Sequence, residues 1–170
     1  TAAIQAAIDA ANSAGEGIVF FPKPSAYYKV SSKICLYSNI TLLGEKYSYI
    51  YNDTIVDEPV FEVIGAPDSR LNNVSIKGLM IRNGTASTGN YTTGKDGIVV
   101  KYCDGFKLED CYITEIQGAF GLNTRYSTNI KVVNNMFYRC TYSQFSVSPE
   151  CENILVEGNI FDTCTSTTTA

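Results

Sequence analysis

One short segment recurs in this chain at a fixed interval of two dozen positions, and that repeat constrains the fold more than any other feature. Residues 105–113 read GFKLEDCYI, 129–137 read NIKVVNNMF and 153–161 read NILVEGNIF, so the three copies are evenly spaced. Two looser copies precede them, NVSIKGLMI at 73–81 and the half-copy NITLLG at 39–44. Their starts lie farther apart than those of the later copies, which implies rungs with extra loop residues.

Within each copy the first half alternates. Phe106 and Leu108, Ile130 and Val132, and Ile154 and Val156 flank Lys107, Lys131 and Leu155, a period of two that marks a strand with one buried face. Gly44, Gly78, Asp110, Asn134 and Gly158 follow at one common position. These residue types tolerate a left-handed backbone, so a turn is expected there. A second short strand follows, with Ile81, Ile113, Phe137 and Phe161 pointing inward. Two helices per repeat do not fit this turn chemistry. A coil of about 24 residues with three short strands does, with successive coils pairing in parallel about 4.8 Å apart. The expected fold is all-β: a right-handed parallel β-helix. Asn135 then lies over Asn159 in an inward amide ladder, and Phe137 over Phe161.

The first residues follow another period. Ile4, Ala7, Ile8 and Ala11 sit at i, i+3, i+4 and i+7, with Gly15 at a C-cap position. A helix over 1–15 is expected to cover the open strand edges at one end of the solenoid. A single domain then runs over 1–164, with rungs from 17, where GIVFFP opens the first strand. The Thr/Ser-rich tail at 165–170 reads as a linker or as the approach to a further segment.

Composition narrows the function. A net charge of −4 with dispersed Lys and Arg argues against a nucleic-acid partner, and no apolar run approaches the roughly 18 residues of a membrane span. There is no histidine, and the six cysteines include no Cys-x-x-Cys pair, so no zinc site is expected. Asn-x-Ser/Thr sequons stand at Asn39, Asn52, Asn73, Asn83 and Asn90, where composition alone gives roughly two. The excess points to an extracellular glycoprotein; the bland reading is the taste of β-helix turns for Asn, Ser and Thr. Cys140 and Cys164 hold equivalent places on adjacent rungs. They form either a disulfide or a column of buried thiols. Cys103 and Cys151 have Ser127 between them.

The N-terminal block TAAIQAAIDAANSAG, followed by GIVFFPKPSAYYKV and SNITLLGE, resembles that of the pectate lyase superfamily. The resemblance covers nearly the whole chain and is specific for fold rather than activity. It implies extracellular or cell- or virion-surface work on polysaccharide, as a lyase or glycanase where active. The alternative is a non-catalytic domain of a fibre, spike or adhesin. KDGIVV at 95–100 resembles the first acidic motif of polygalacturonases, with Asp96 in the acid position. The adjacent aspartates due one rung later are replaced by Gln117-Gly118-Ala119, and the histidine motif is missing. Hydrolysis with inversion needs two opposed carboxyls, so that set is incomplete. Asp96 in such a place is more often a turn residue before a strand.

Superfamily lyases use Lys or Arg as base, often beside calcium held by Asp and Glu. Lys101 and Arg125, one repeat apart, are the candidates, with Asp96, Asp104 and Glu109 nearby in sequence; together these would make a cation-lined groove, or else a solvated face. In the following rung Pro149 takes the corresponding place. Tyr102 over Tyr126 is the candidate sugar-binding pair. Met80, Tyr112, Met136 and Ile160 are expected to form an outward apolar stripe, covered by a loop or by self-association. The Gly- and Thr-rich stretch at 83–94 is expected to project as a loop that walls a substrate groove.

Overall fold

The computed structural model describes residues 1–52, 57–84 and 92–164. Asn90, most of the stretch at 83–94 and the tail at 165–170 lie outside the described residues.

Helix α1 (Ala2–Ser13) buries Ile8 completely and packs Ile4 and Ala11 against the core. Gly15 adopts φ +91° just past its end, and its N–H donates to Asn12 O at 2.9 Å, the left-handed stop that lets the chain reverse. The helix lies so close to the first strand that a Cβ at Gly17 would come within 2.8 Å of Ala11 Cβ.

The chain then coils through β1 (Gly17–Phe21), β2 (Tyr28–Val30), β3 (Ile34–Cys35) and β4 (Ile40–Asn52). Next come β5 (Phe61–Ile64) and β6 (Leu71–Asn83), followed by β7 (Ile98–Lys101), β8 (Cys103–Glu109) and β9 (Tyr112–Ile116). Two further turns hold β10 (Phe120–Arg125), β11 (Thr128–Val133) and β12 (Met136–Cys140), then β13 (Ser143–Val147), β14 (Glu152–Glu157) and β15 (Ile160–Cys164). All these strands pair in parallel, in a ten-stranded sheet and a five-stranded sheet ordered β13-β10-β7-β5-β3. Phe106, Ile130 and Ile154 stand opposite one another, as do Leu108, Val132 and Val156. Phe106, Leu108, Ile130 and Val132 belong to one continuous apolar core, against which Ile154 packs, while Val156 on the last described rung is exposed. The architecture is a parallel β-helix. Among the described residues no helix is long and apolar enough to cross a membrane.

The bend falls where the repeat places its turn residues in four of the five copies; in the first, Gly44 is not left-handed, and Lys46 (φ 40°) and Tyr47 (φ 62°) take that conformation, where the register shifts. Gly78, Asp110, Asn134 and Gly158 have φ between 53° and 69°. In the turn of Asn135 the amide satisfies groups that would otherwise be orphaned. Its Oδ1 accepts from Cys111 N–H at 2.9 Å, and its Nδ2 donates to Leu108 O at 2.9 Å and to Asn159 Oδ1 at 3.0 Å. Phe137 and Phe161 stack with centroids 5.1 Å apart. Met80, Tyr112, Met136 and Ile160 form one outward column, which Tyr49 extends.

Three expectations are corrected. Cys140 and Cys164 are in register, yet both thiols are free, and Cys164 instead donates to Gln144 Oε1 at 2.9 Å. In-register residues of a parallel pair point their Cβ atoms side by side at about the 4.8 Å rung spacing, beyond the roughly 3.8 Å mean of a disulfide. Asn52 and Asn83 are fully buried and opposite each other, so neither amide can carry a glycan in this fold. Asn83 Nδ2 donates to Glu58 O at 2.9 Å and Asp96 O at 2.8 Å, pinning two loop carbonyls. Asn39 and Asn73 remain exposed. Finally, Thr124 pairs with Val147, one position short of the repeat period, so Pro149 does not stand opposite Arg125.

Candidate surface groove

Lys101 and Arg125 end β7 and β10 and are register partners. Alternation sends them outward, since Val100 and Thr124 beside them are fully buried. The next residues, Tyr102 (φ 50°) and Tyr126 (φ 51°), turn the chain in the left-handed region, so both rings leave the turn in the same direction. They lie 5.0 Å apart at 9°. The structure therefore brings together all four groups singled out on these two rungs.

Two further residues complete this edge. Leu71 pairs with Cys103, which places Arg70 one rung before Tyr102. Its Nη2 reaches across to Tyr126 O at 2.8 Å, tying the two tyrosine turns together. Glu150 (φ 59°) holds the equivalent left-handed place one rung beyond Tyr126. The column reads cation, ring, ring, carboxylate along the axis. Pro67, Arg70, Tyr102, Tyr126, Glu150 and Glu152 line a cavity of about 350 Å³ there. Stacking along the axis consumes the inner ring faces, so a ligand meets ring edges, hydroxyls and the outer faces.

Asp96 does a different job. It is 7% exposed, and both carboxylate oxygens are engaged: Oδ1 by Phe120 N–H at 2.9 Å, Oδ2 by Asn123 Nδ2 at 3.2 Å. Asn123 Oδ1 accepts in turn from Arg125 Nε at 3.3 Å, so Arg125 is linked to Asp96 through Asn123. Burial raises the Asp96 carboxyl above the usual range, and the bonds from Phe120, Asn123 and Ala119 and the Arg125 charge offset only part of that rise. This geometry braces the turn of the next rung and keeps the carboxylate buried beneath the surface. At Gly118 an aspartate is excluded sterically: a Cβ there would overlap the Lys95 carbonyl.

The acidic residues named beside Lys101 are engaged by other partners. Asp104 Oδ1 accepts from Thr128 Oγ1 at 3.0 Å and Asn129 Nδ2 at 2.6 Å. Glu109 pairs with Lys107 at 2.9 Å and Lys77 at 3.1 Å. The turn after Lys101 puts both on β8, which pairs with β11 rather than with β7 and β10. Among the described residues no three His, Cys, Asp or Glu side chains converge as metal ligands do.

Arg70, Glu150 and Asn123 escape a reading that follows residue types alone. The repeat carries their signal: Arg70 lies one long rung before Tyr102, Glu150 one regular rung after Tyr126, and Asn123 on the same strand face as Arg125.

Among solved structures, the chain resembles ORF18 of Geobacillus virus E2, with 23% identity and a TM-score of 0.62, covering 99% of this chain and 40% of that one. It also resembles the A-module of the Azotobacter vinelandii mannuronan C-5 epimerase AlgE4, with 19% identity and a TM-score of 0.62, covering 95% of this chain and 45% of that one. The chain thus spans less than half the length of either, and at these identities the likeness speaks to the fold. No curated protein matches it. The family model described as "Right handed beta helix region" matches residues 30–169. With the parallel, in-register rungs, that match makes this chain a member of the right-handed β-helix family.

Proposed function

We propose that this β-helix recognises a polysaccharide laid along its axis over Lys101, Arg125, Tyr102 and Tyr126, outside the cell or on a virion surface. The observation that carries the reading is the doubling of a cation–tyrosine pair on adjacent rungs, Lys101–Tyr102 over Arg125–Tyr126, in register and with rings 5.0 Å apart. A solenoid repeats its surface once per rung, and a linear polymer repeats its own groups, so a periodic array suits a periodic ligand. The two cations favour sugar acids, and mannuronan, named in one structural neighbour, is a polymer of that kind. The one carboxyl of the acidic motif is buried and spent on the turn, which counts against hydrolysis by that motif.

Titration calorimetry of the chain against a panel of uronate and neutral polymers tests this. Uronate binding is expected, with a loss of about tenfold or more in Lys101→Ala/Arg125→Ala, since a hydrogen bond to a charged group contributes roughly 1.5–3 kcal/mol. Equal affinity in parent and double variant overturns the assignment. An unsaturated product released from a uronate polymer would make the groove a lyase site instead.

A second reading, a fibre or spike segment, is favoured by the outward column Tyr49, Met80, Tyr112, Met136 and Ile160. It predicts self-association through those side chains; a monomeric sedimentation profile at high concentration counts against it.

A further inference from the structure

A second polar ladder runs along the outside of the solenoid, and one rung of it is missing. Asn39, Asn73, Asn129 and Asn153 share a left-handed position at the start of successive strands, with φ from 54° to 60°. Asn73 Nδ2 donates to Asn39 Oδ1 at 3.2 Å, and Asn153 Nδ2 to Asn129 Oδ1 at 3.3 Å. The rung between Asn73 and Asn129 holds Gly105 (φ 84°). Two consequences follow. Asn129 Nδ2, which would continue the ladder, turns to Asp104 Oδ1 at 2.6 Å. Asn73 Oδ1 faces the gap, 3.2 Å from where a Cβ on Gly105 would stand, and among the described residues no donor reaches it.

The gap opens a cleft of about 310 Å³, floored by Gly105 and walled by Asn73, Ser75, Lys107, Asn129 and Lys131. Lys107 and Lys131 are register partners on β8 and β11, and both line the cleft. Lys107 is committed to Glu109 at 2.9 Å. Lys131 is exposed, and among the described residues it has no carboxylate partner. The cleft thus offers an unfilled amide acceptor, a hydroxyl and an unpaired cation, with space at the lower end of what small-ligand sites occupy.

We infer that the Gly105 notch is a binding subsite for one sugar-acid residue, on a different face from the tyrosine groove. A sugar hydroxyl donates to Asn73 Oδ1 in place of the missing amide, the ring lies over Gly105, and the carboxylate meets Lys131. The complementarity is one of donor to acceptor and of opposite charge.

Titration of the intact chain with a uronate hexamer, a neutral glucan hexamer and inorganic sulfate tests it, on the parent, Gly105→Asn, Lys131→Ala and the Lys101→Ala/Arg125→Ala double variant. Gly105→Asn is expected to complete the ladder, melt no lower than the parent and weaken hexamer binding at this site by about tenfold or more. Lys131→Ala is expected to show a similar loss and decides the matter if Gly105→Asn folds poorly. Unchanged affinity and stoichiometry in Lys131→Ala overturns the subsite, as does neutral hexamer bound as tightly as uronate. Sulfate bound as tightly as the hexamer reduces it to an anion site and overturns sugar recognition. The double variant separates the two faces: hexamer binding that survives there but fails in Gly105→Asn supports the notch and refutes the groove.

Discussion

Asn135 and Asn159 are joined across one rung by a 3.0 Å side-chain hydrogen bond, while Asn135 also serves Cys111 N–H and Leu108 O of the rung before. One side chain thus closes the backbone hydrogen bonding of a buried turn. Replacing it with Ala strands one donor and one acceptor, each costing about 1–3 kcal/mol when buried without a partner. Asn135→Ala is expected to lose about 3 kcal/mol in urea unfolding with an unchanged slope. A loss under about 1 kcal/mol would mean that the ladder is replaceable by water.

Asp96 separates a structural role from a catalytic one. Asp96→Ala removes the acceptor for Phe120 N–H and the Asn123 amide, with an expected cost of about 2 kcal/mol. Asp96→Asn keeps one acceptor oxygen and is expected to cost about half as much. Burial holds the folded pKa above its ordinary value. The folded chain therefore binds this proton more tightly than the unfolded one, whose pKa is about 3.9. The parent should accordingly gain on Asp96→Asn as pH falls from above the folded value to below the unfolded one. Loss of turnover on a uronate polymer without loss of stability would instead make Asp96 a catalytic group.

The parts of this fold legible in the sequence are those governed by period. Rungs of constant length give a register that the strand pairs bear out at Ile130 opposite Ile154 and Lys101 opposite Arg125. Asn52 and Asn83 mislead because a sequon is a local pattern, whereas burial follows from alternation. Ile50 and Ile81 point inward, so the residues two further on do too. Asp96 misleads because a motif names a residue type and not its exposure. The Gly105 notch is invisible to residue-type reading, since a glycine in a turn looks ordinary until the missing amide is counted against its neighbours in the ladder.

The thiols give a direct readout of burial. Desolvation pushes Cys103 and Cys111 up to about 12 and raises Cys140 further still, and alkylation requires the thiolate. Cys164 is exposed on the last described rung. At pH 8, iodoacetamide should modify Cys164 well before Cys103, Cys111 or Cys140. An intact mass short by two hydrogen atoms, with a peptide map joining Cys140 to Cys164, would overturn the free-thiol assignment.

Glu109 should show the opposite pH sign from Asp96. Its carboxylate is held below the usual range by Lys107 first and Lys77 second. The stabilisation is therefore fully present above the unfolded value of about 4.3 and fades as pH falls through the folded one. Lys77 and Lys107 are both exposed, so screening limits the network to about 1 kcal/mol at most. Glu109→Gln should lie below the parent by up to that amount at pH 7 and meet it once pH drops beneath the folded pKa. Raising the salt concentration should shrink the gap at pH 7. A gap that persists in acid would show that Glu109 acts through packing rather than through its charge.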